Sequence, residues 1–247
     1  MIDTKKLALL NRLIDHSIKY SGGKFDDNNT KEHFLKYFLN KILEQCTSFS
    51  LLYSNNKSDS ILIARSIIEG YSLLNYSRKE NLDLFSQKWL KFSNIEIYKY
   101  LKYLENYGAT IDPKYFLELE NSILINCTEF IVNNGYKIVD KQYCNTWFYP
   151  LKITKIVDKL DIDLIKIAYN EYSSWHHWSP LSRYQSIGIL KNEYYLKEHD
   201  SLENSIFIVF FCLINTTSII ISELYDKREL NEIKNYETLM SKYTYEK

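Results

Sequence analysis

The chain reads as an all-α protein. Apolar side chains recur at helical spacing through most of its 247 residues. Three prolines and six glycines leave few places for tight turns. Cap-forming residues stand in front of several apolar runs. No repeat, charge block or Pro/Gly/Ser linker divides the chain, so one helical bundle is expected. Residues 1–57 form an N-terminal helix pair packing on a core domain of residues 58–247.

The elements follow in order. Leu7, Leu10, Ile14 and Ile18 mark a first amphipathic helix that ends before Ser21-Gly22-Gly23. After a polar loop, Thr30 stands as the cap of a second helix with Phe34, Tyr37, Phe38, Ile42 and Leu43 inward. Ser58 or Ser60 caps a third that runs to about Tyr76. A fourth spans about Asp83 to Tyr107 and is stopped by Gly108. Asp112-Pro113 opens a fifth in the favoured cap-then-proline order, with Phe116, Leu119, Ile123 and Leu124 inward. Residues 133–150 are least regular, and Asn134-Gly135 signals a short hairpin. Thr154 caps a short helix to Leu160, and Asp163 caps the next, which reaches Trp178 before Ser179-Pro180. Leu181 to His199 is mixed. A strongly apolar helix from about Leu202 to Tyr225 and an amphipathic tail from Arg228 to about Tyr243 complete the bundle.

Composition narrows the function. Hydrophobic residues make up 45% and charged residues 25%, ordinary for a globular chain. The 31 basic and 31 acidic side chains cancel, which argues against a protein that mainly coats nucleic acid. Twenty-two tyrosines, with abundant Asn, Lys and Ile, match the codon bias of an AT-rich genome and do not by themselves mark a stacking platform. Cys46, Cys127, Cys144 and Cys212 are far apart and show no zinc or C-x-x-C spacing. No signal peptide follows Met1, and no membrane span is expected. The stretch Ile206–Ile221, interrupted by Asn215-Thr216-Thr217-Ser218, is shorter than the roughly 20 apolar residues a span requires. A buried central helix and a cytoplasmic location are the expectation.

The chemistry concentrates in one constellation. Arg65 and Glu69 sit four apart in Ile61-Leu62-Ile63-Ala64-Arg65-Ser66-Ile67-Ile68-Glu69, a helix otherwise apolar almost all round. A polar group buried without a partner costs about 2–7 kcal/mol and an ion more, so partners are required. Tyr169, Ser173 and His177 recur at four-residue steps and hold one stripe of a second helix. Guanidinium, carboxylate, phenol, hydroxyl and imidazole are thereby expected to meet across a helix–helix contact, with His177 or its neighbour His176 facing it.

At these residues the chain resembles a family of uncharacterised, all-helical bacterial proteins. Their pattern runs from an R-x-x-x-E helix through a helix rich in aromatic residues and lysine to Y-x-x-x-S-x-x-x-H with a following proline. Here the motifs are Arg65 to Glu69, Trp89-Leu90-Lys91-Phe92-Ser93-Asn94-Ile95-Glu96-Ile97-Tyr98-Lys99, and Tyr169 to Pro180. The chain departs by doubling the histidine and placing Trp178 directly after it. That family is distantly similar to the HEPN group of helical nucleotide-binding proteins, many of them metal-independent RNases of toxin and phage-defence systems. The resemblance implies a HEPN-like core with additional N- and C-terminal helices, RNA or a nucleotide as partner, and a homodimer or a partner protein from the same operon. The RNase hallmark of that group, Arg and His separated by four to six intervening residues in one helix, is missing: Arg12 and His16 have three between them, one too few, and Arg183 to His199 is too long.

Two functions follow from different classes. In the first, the chain is a bacterial stress or phage-defence protein, a metal-independent ribonuclease or nucleotide-binding effector. Its site is then Arg65, Glu69, Tyr169, Ser173, His177 and His176. In the second it is a non-catalytic interaction module whose cluster is structural. No cofactor and no metal is implied. Adjacent histidines on a helix point about 100° apart, and Asp26-Asp27-Asn28-Asn29 lacks the closing residues of a calcium loop. No Gly-rich phosphate loop and no nucleophile elbow at Ser173 occur. The lysines Lys88, Lys91, Lys99 and Lys102 make either a solvated face or an RNA contact.

Overall fold

A computed structural model describes residues 3–23, 29–55, 57, 59–131, 143–176, 187–190, 193–196 and 200–245. It is all-α, with one short hairpin. Its residues fall into two units: Met1–Asp26 with Leu35–Arg78 and Ile153–Lys247, and Asp27–Phe34 with Lys79–Lys152.

In the larger unit, α1 (Thr4–Ile18) starts at Asp3, whose carboxylate accepts from the Lys6 amide at 3.0 Å. It buries Leu9, Leu10, Leu13, Ile14 and Ser17, while Ile18 is exposed. Of the expected stripe, Leu10 and Ile14 are buried and Leu7 is half-buried, but Ile18 lies in water and the buried face widens to Leu9, Leu13 and Ser17. The cause is that two helices pack on α1 and not one: α8 (Asp200–Leu224) and α9 (Leu230–Tyr245). Helix α2 (Thr30–Ser54) is capped by Asn29, one residue before the expected Thr30. Asn29 Oδ1 accepts from the Glu32 amide at 3.1 Å, and Glu32 reaches back to the Asn29 side chain at 3.1 Å. This reciprocal pair resembles a capping box. Phe38, Ile42 and Leu43 are buried as expected, whereas Tyr37 faces outward. Helix α3 (Ser60–Glu80) runs four residues past Tyr76. Its Gly70 lies so close to α2 that an added Cβ would meet Ile42 Cγ1 at 3.4 Å.

Helices α6 (Ile153–Asp158) and α7 (Asp163–His176) follow, with Thr154 and Asp163 inside the helices rather than before them. Within the mixed stretch, β1 (Ile187–Leu190) pairs antiparallel with β2 (Glu193–Leu196) in the register Ile187 to Leu196 and Leu190 to Glu193. Four-residue strands are too short for a period-two pattern to stand out, which is why the sequence leaves this region unassigned. Trp178, Ser179-Pro180 and the Asn134-Gly135 turn lie outside the described residues.

Helix α8 is the axis of this unit. Its stretch Asn204–Leu224 is long and apolar enough to cross a membrane by length and composition, yet 72% of that window is buried inside the structure. Ile206, Val209, Phe210, Leu213, Ile220 and Ile221 pack inward, each contributing about 1.5–3 kcal/mol by leaving water. Hydrogen bonds satisfy Asn215 and Thr217 of the polar interruption, while the buried Thr216 hydroxyl has no partner. Thr217 donates back to the Leu213 carbonyl at 2.9 Å and pairs with Ser17 Oγ at 2.9 Å, and Asn215 donates to the Phe211 carbonyl at 2.8 Å.

The smaller unit has its own core. Helix α4 (Leu82–Asn106) is capped by Asn81, which accepts from the Leu84 amide at 3.0 Å, and Gly108 beyond it takes φ +86°. Asp112 caps α5 (Pro113–Asn126), accepting from the Lys114 amide at 2.9 Å. Phe92, Ile95 and Tyr98 of α4 pack with Leu119 and Ile123 of α5 and with Cys127, Phe130 and Cys144. An isolated bridge joins Ile131 to Tyr143.

Candidate functional site

Helix α3 is not buried all round. Leu62, Ile63, Arg65, Ser66 and Glu69 form a strip that solvent reaches, while Ile61, Ala64, Ile67 and Ile68 fill the core. The Arg65 side chain keeps 16% of its surface exposed and Glu69 keeps 31%, so both charges are partly hydrated. This corrects the expectation of a fully interior ion pair and lowers the desolvation cost that the pair must offset.

The i,i+4 spacing brings Arg65 Nη2 to 3.0 Å from Glu69 Oε1. From α7, buried Tyr169 donates its hydroxyl to the same oxygen at 3.3 Å. The Arg65 guanidinium carbon also lies 5.6 Å from the Tyr169 ring centroid, within cation–π range. Three side chains from two helices thus close a triangle around one carboxylate oxygen. Arg65 Nε is buried without a hydrogen-bond partner. Of the five guanidinium donors, this one is closed to solvent and left unsatisfied, at a cost of about 1–3 kcal/mol.

The remaining expected members separate from this triangle. Ser173 stands on the Tyr169 stripe, but its hydroxyl donates to the Tyr169 carbonyl at 2.6 Å, one turn back along the helix. It is thus tied to the backbone and supplies no nucleophile to the cluster. His176 is the last residue of α7, with its side chain outside the described part, and His177 lies outside the described residues. One neighbour went unnoticed in the sequence: Gln45 of α2 donates to Ser66 Oγ at 2.6 Å, beside Arg65. Ser66 shares the Arg65 strip, but nothing in the sequence distinguishes Gln45 from the other polar residues of α2.

The α4 lysines are engaged within the smaller unit. Lys99 donates to the Cys144 carbonyl at 2.9 Å and to Asn145 at 3.2 Å, and Lys91 sits 3.6 Å from Glu129. Lys102 pairs with Glu105 at 3.1 Å and covers the Phe116 ring at 4.6 Å. Lys88 lies 5.8 Å from the Phe85 ring. These contacts disperse the stripe's charge, which favours a solvated face over an RNA track. The four cysteines are buried and unpaired, and burial raises the thiol pKa of each. Among the described residues no group of three His, Cys, Asp or Glu is placed to hold a metal ion.

Neither the curated proteins nor the solved structures contain a match to this chain. A family model does match, over residues 32–194, a span that contains Arg65, Glu69, Tyr169, Ser173, His176 and His177. That span is 163 of the 247 residues, and the chain belongs to DUF5677, a family of unknown function.

Proposed function

We propose that this protein is a bacterial stress or phage-defence effector whose Arg65/Glu69/Tyr169 cluster engages the phosphate of an RNA or nucleotide. The observation that carries the reading is the state of Arg65: its side chain keeps 16% of its surface in contact with solvent and its guanidinium lies near the Tyr169 ring. A phosphate oxygen fits the exposed edge of such a guanidinium, because guanidinium–phosphate bonds are charge-assisted and directional. Metal-independent cleavage of RNA also requires a base for the 2′-hydroxyl proton, and His176 or the His177 that follows it in the sequence fills that role. Glu69 and Tyr169 act as positioning residues that set the guanidinium plane. In this reading the chain has a HEPN-like core, works in the cytoplasm, and acts as a homodimer or with a partner protein from its operon.

A second reading is favoured by a different observation: Glu69 Oε1 is already held by two donors. The cluster is then a structural bracket between α3 and α7 in a non-catalytic interaction module. Expression toxicity and RNA cleavage by Arg65→Ala and His177→Ala separate the two. The effector reading expects both activities to vanish while the thermal melt stays within a few degrees of wild type. Loss of the folded state in both variants, or unchanged activity, supports the bracket.

A further inference from the structure

Helix α4 turns its lysines toward its own unit and its apolar residues toward water. Lys99 and Lys91 are held by the Cys144 carbonyl and by Glu129, and Lys102 covers the Phe116 ring of α5. On the other side Leu90, Ser93, Ile97, Tyr100, Leu104 and Tyr107 follow one another at steps of three and four, the spacing of a coiled-coil seam. None of them belongs to the core that α4 shares with α5. Tyr100 is 61% exposed and Tyr107 76%, Leu90 and Ile97 are exposed as well, and Leu104 is half-buried. Tyr103, on the flank of the seam, is 55% exposed, and its ring stands 4.7 Å from that of Tyr107. The Ser93 hydroxyl donates to the Leu90 carbonyl at 2.6 Å, so covering it strands no donor. Glu96, at the rim, is the one charged residue on this side of α4 between Leu90 and Tyr107.

We infer that this seam is where a second copy of the chain docks, α4 lying antiparallel on α4 about a two-fold axis. Side-chain size selects the arrangement. Centred between Tyr98 and Lys99, it sets Leu90 opposite the partner's Tyr107, Ser93 opposite the partner's Leu104 and Ile97 opposite the partner's Tyr100. Each level then joins a smaller residue of one half of the seam to a larger one of the other half, as close packing requires. A parallel pair would oppose Ser93 to itself and leave a gap, and would crowd the two tyrosines at the far end. The antiparallel pair also opposes the helix dipoles and brings Glu96 toward the partner's Tyr103 hydroxyl instead of a like charge. At about 150–250 Å² for an aromatic side chain, the three tyrosines with Leu90 and Ile97 leave about 500 Å² of each copy in water. Pairing two copies therefore buries about 1,000 Å² in total, the lower bound of a specific interface, which fits a reversible dimer of micromolar affinity. A nucleic acid or an anionic bilayer fits less well, because the lysines of α4 are engaged on the other side. The inference rests on the α4 face and does not require the reading of Arg65.

Sedimentation of the full-length protein from about 1 to 200 µM tests it, with a reversible monomer–dimer equilibrium expected in that range. Ile97→Glu and Tyr100→Lys, each at an exposed position, are expected to weaken association at least tenfold with the thermal melt unchanged. Mixed together, the two variants should restore it, since glutamate then faces lysine. Leu90→Cys mixed with Tyr107→Cys should form a disulfide-linked pair under mild oxidation, and Leu90→Cys alone should not; the four native thiols are buried and stay out of the reaction. Arg65→Ala is expected to leave association unchanged, so failure here is distinguishable from failure of the phosphate reading. The assignment is overturned if the protein stays monomeric throughout, if both variants dimerise as the wild type does, or if Leu90→Cys links to itself in preference to Tyr107→Cys. A monomer that binds phosphatidylglycerol vesicles, and loses that binding with Ile97→Glu, would give the face to lipid and overturn it equally.

Discussion

Tyr169→Phe removes a single oxygen from the α3–α7 contact and keeps the ring that faces Arg65. The lost bond runs to an ionised carboxylate, a class worth about 1.5–3 kcal/mol when protected. Here the donor–acceptor distance is 3.3 Å and Glu69 is 31% exposed, so solvent screens the bond and about 1 kcal/mol is expected. For a chain of this size that corresponds to a melting shift of about 2–4 °C. Glu69→Gln removes the ion pair with Arg65, about 0.5 kcal/mol at this exposure, and weakens the phenol bond as well. Because both variants touch the same oxygen, their effects are expected to overlap. A double-mutant cycle from urea unfolding should give a coupling of about 0.5–1 kcal/mol. Additive single-variant losses, with coupling indistinguishable from zero, would refute the claim that Tyr169 and Glu69 hold one another.

Three further outcomes follow from the structure. His16 of α1 is mostly covered, with Nδ1 3.4 Å from the Tyr236 hydroxyl and Nε2 3.4 Å from Glu232 but without hydrogen-bond geometry. Burial, and then the Lys19 ammonium, hold its pKa below the ordinary value, against the opposing pull of Glu232 and Glu229. The unfolded chain therefore takes the proton first. The contribution is present above about pH 6.5 and is lost as pH falls through the folded value, so the urea midpoint should drop with acidification and flatten in His16→Phe. Asp112→Ala deletes the cap of α5 and should cost about 1 kcal/mol; an unchanged midpoint would show that the cap contributes nothing. The buried thiols should resist a disulfide reagent at mildly alkaline pH in the native protein and react fully in denaturant. Rapid native labelling of Cys46 or Cys212 would contradict their burial.

Much of the candidate site was legible in the sequence because helical spacing is rigid. Arg65 and Glu69, four residues apart, touch by geometry once α3 forms. Tyr169 was identified as their partner from the four-residue stripe of α7, and it does donate to Glu69. Ser173 lies on the same stripe but turns to its own backbone, a choice that spacing cannot reveal, since a helical Ser hydroxyl can always bond back to the carbonyl one turn earlier. The buried rank of the pair was also misjudged. An apolar run around two charges reads as an interior helix, but one strip of α3, led by Leu62 at 37%, stays at the surface.

The amino-acid sequence by itself determined that the chain is helical, where most helices begin and end, and which polar residues share a face. Those are local properties, set by 3.6-residue periodicity and by caps such as Asp112. Tertiary structure decided which sector of each helix is covered: two neighbours on α1 draw Leu9 and Leu13 inward and leave Ile18 in water. It decided likewise that the apolar α8 is an internal axis, that Arg65 keeps contact with solvent, and that an apolar stripe of α4 stays in water. Burial depends on what the rest of the chain brings alongside, and no local spacing encodes that.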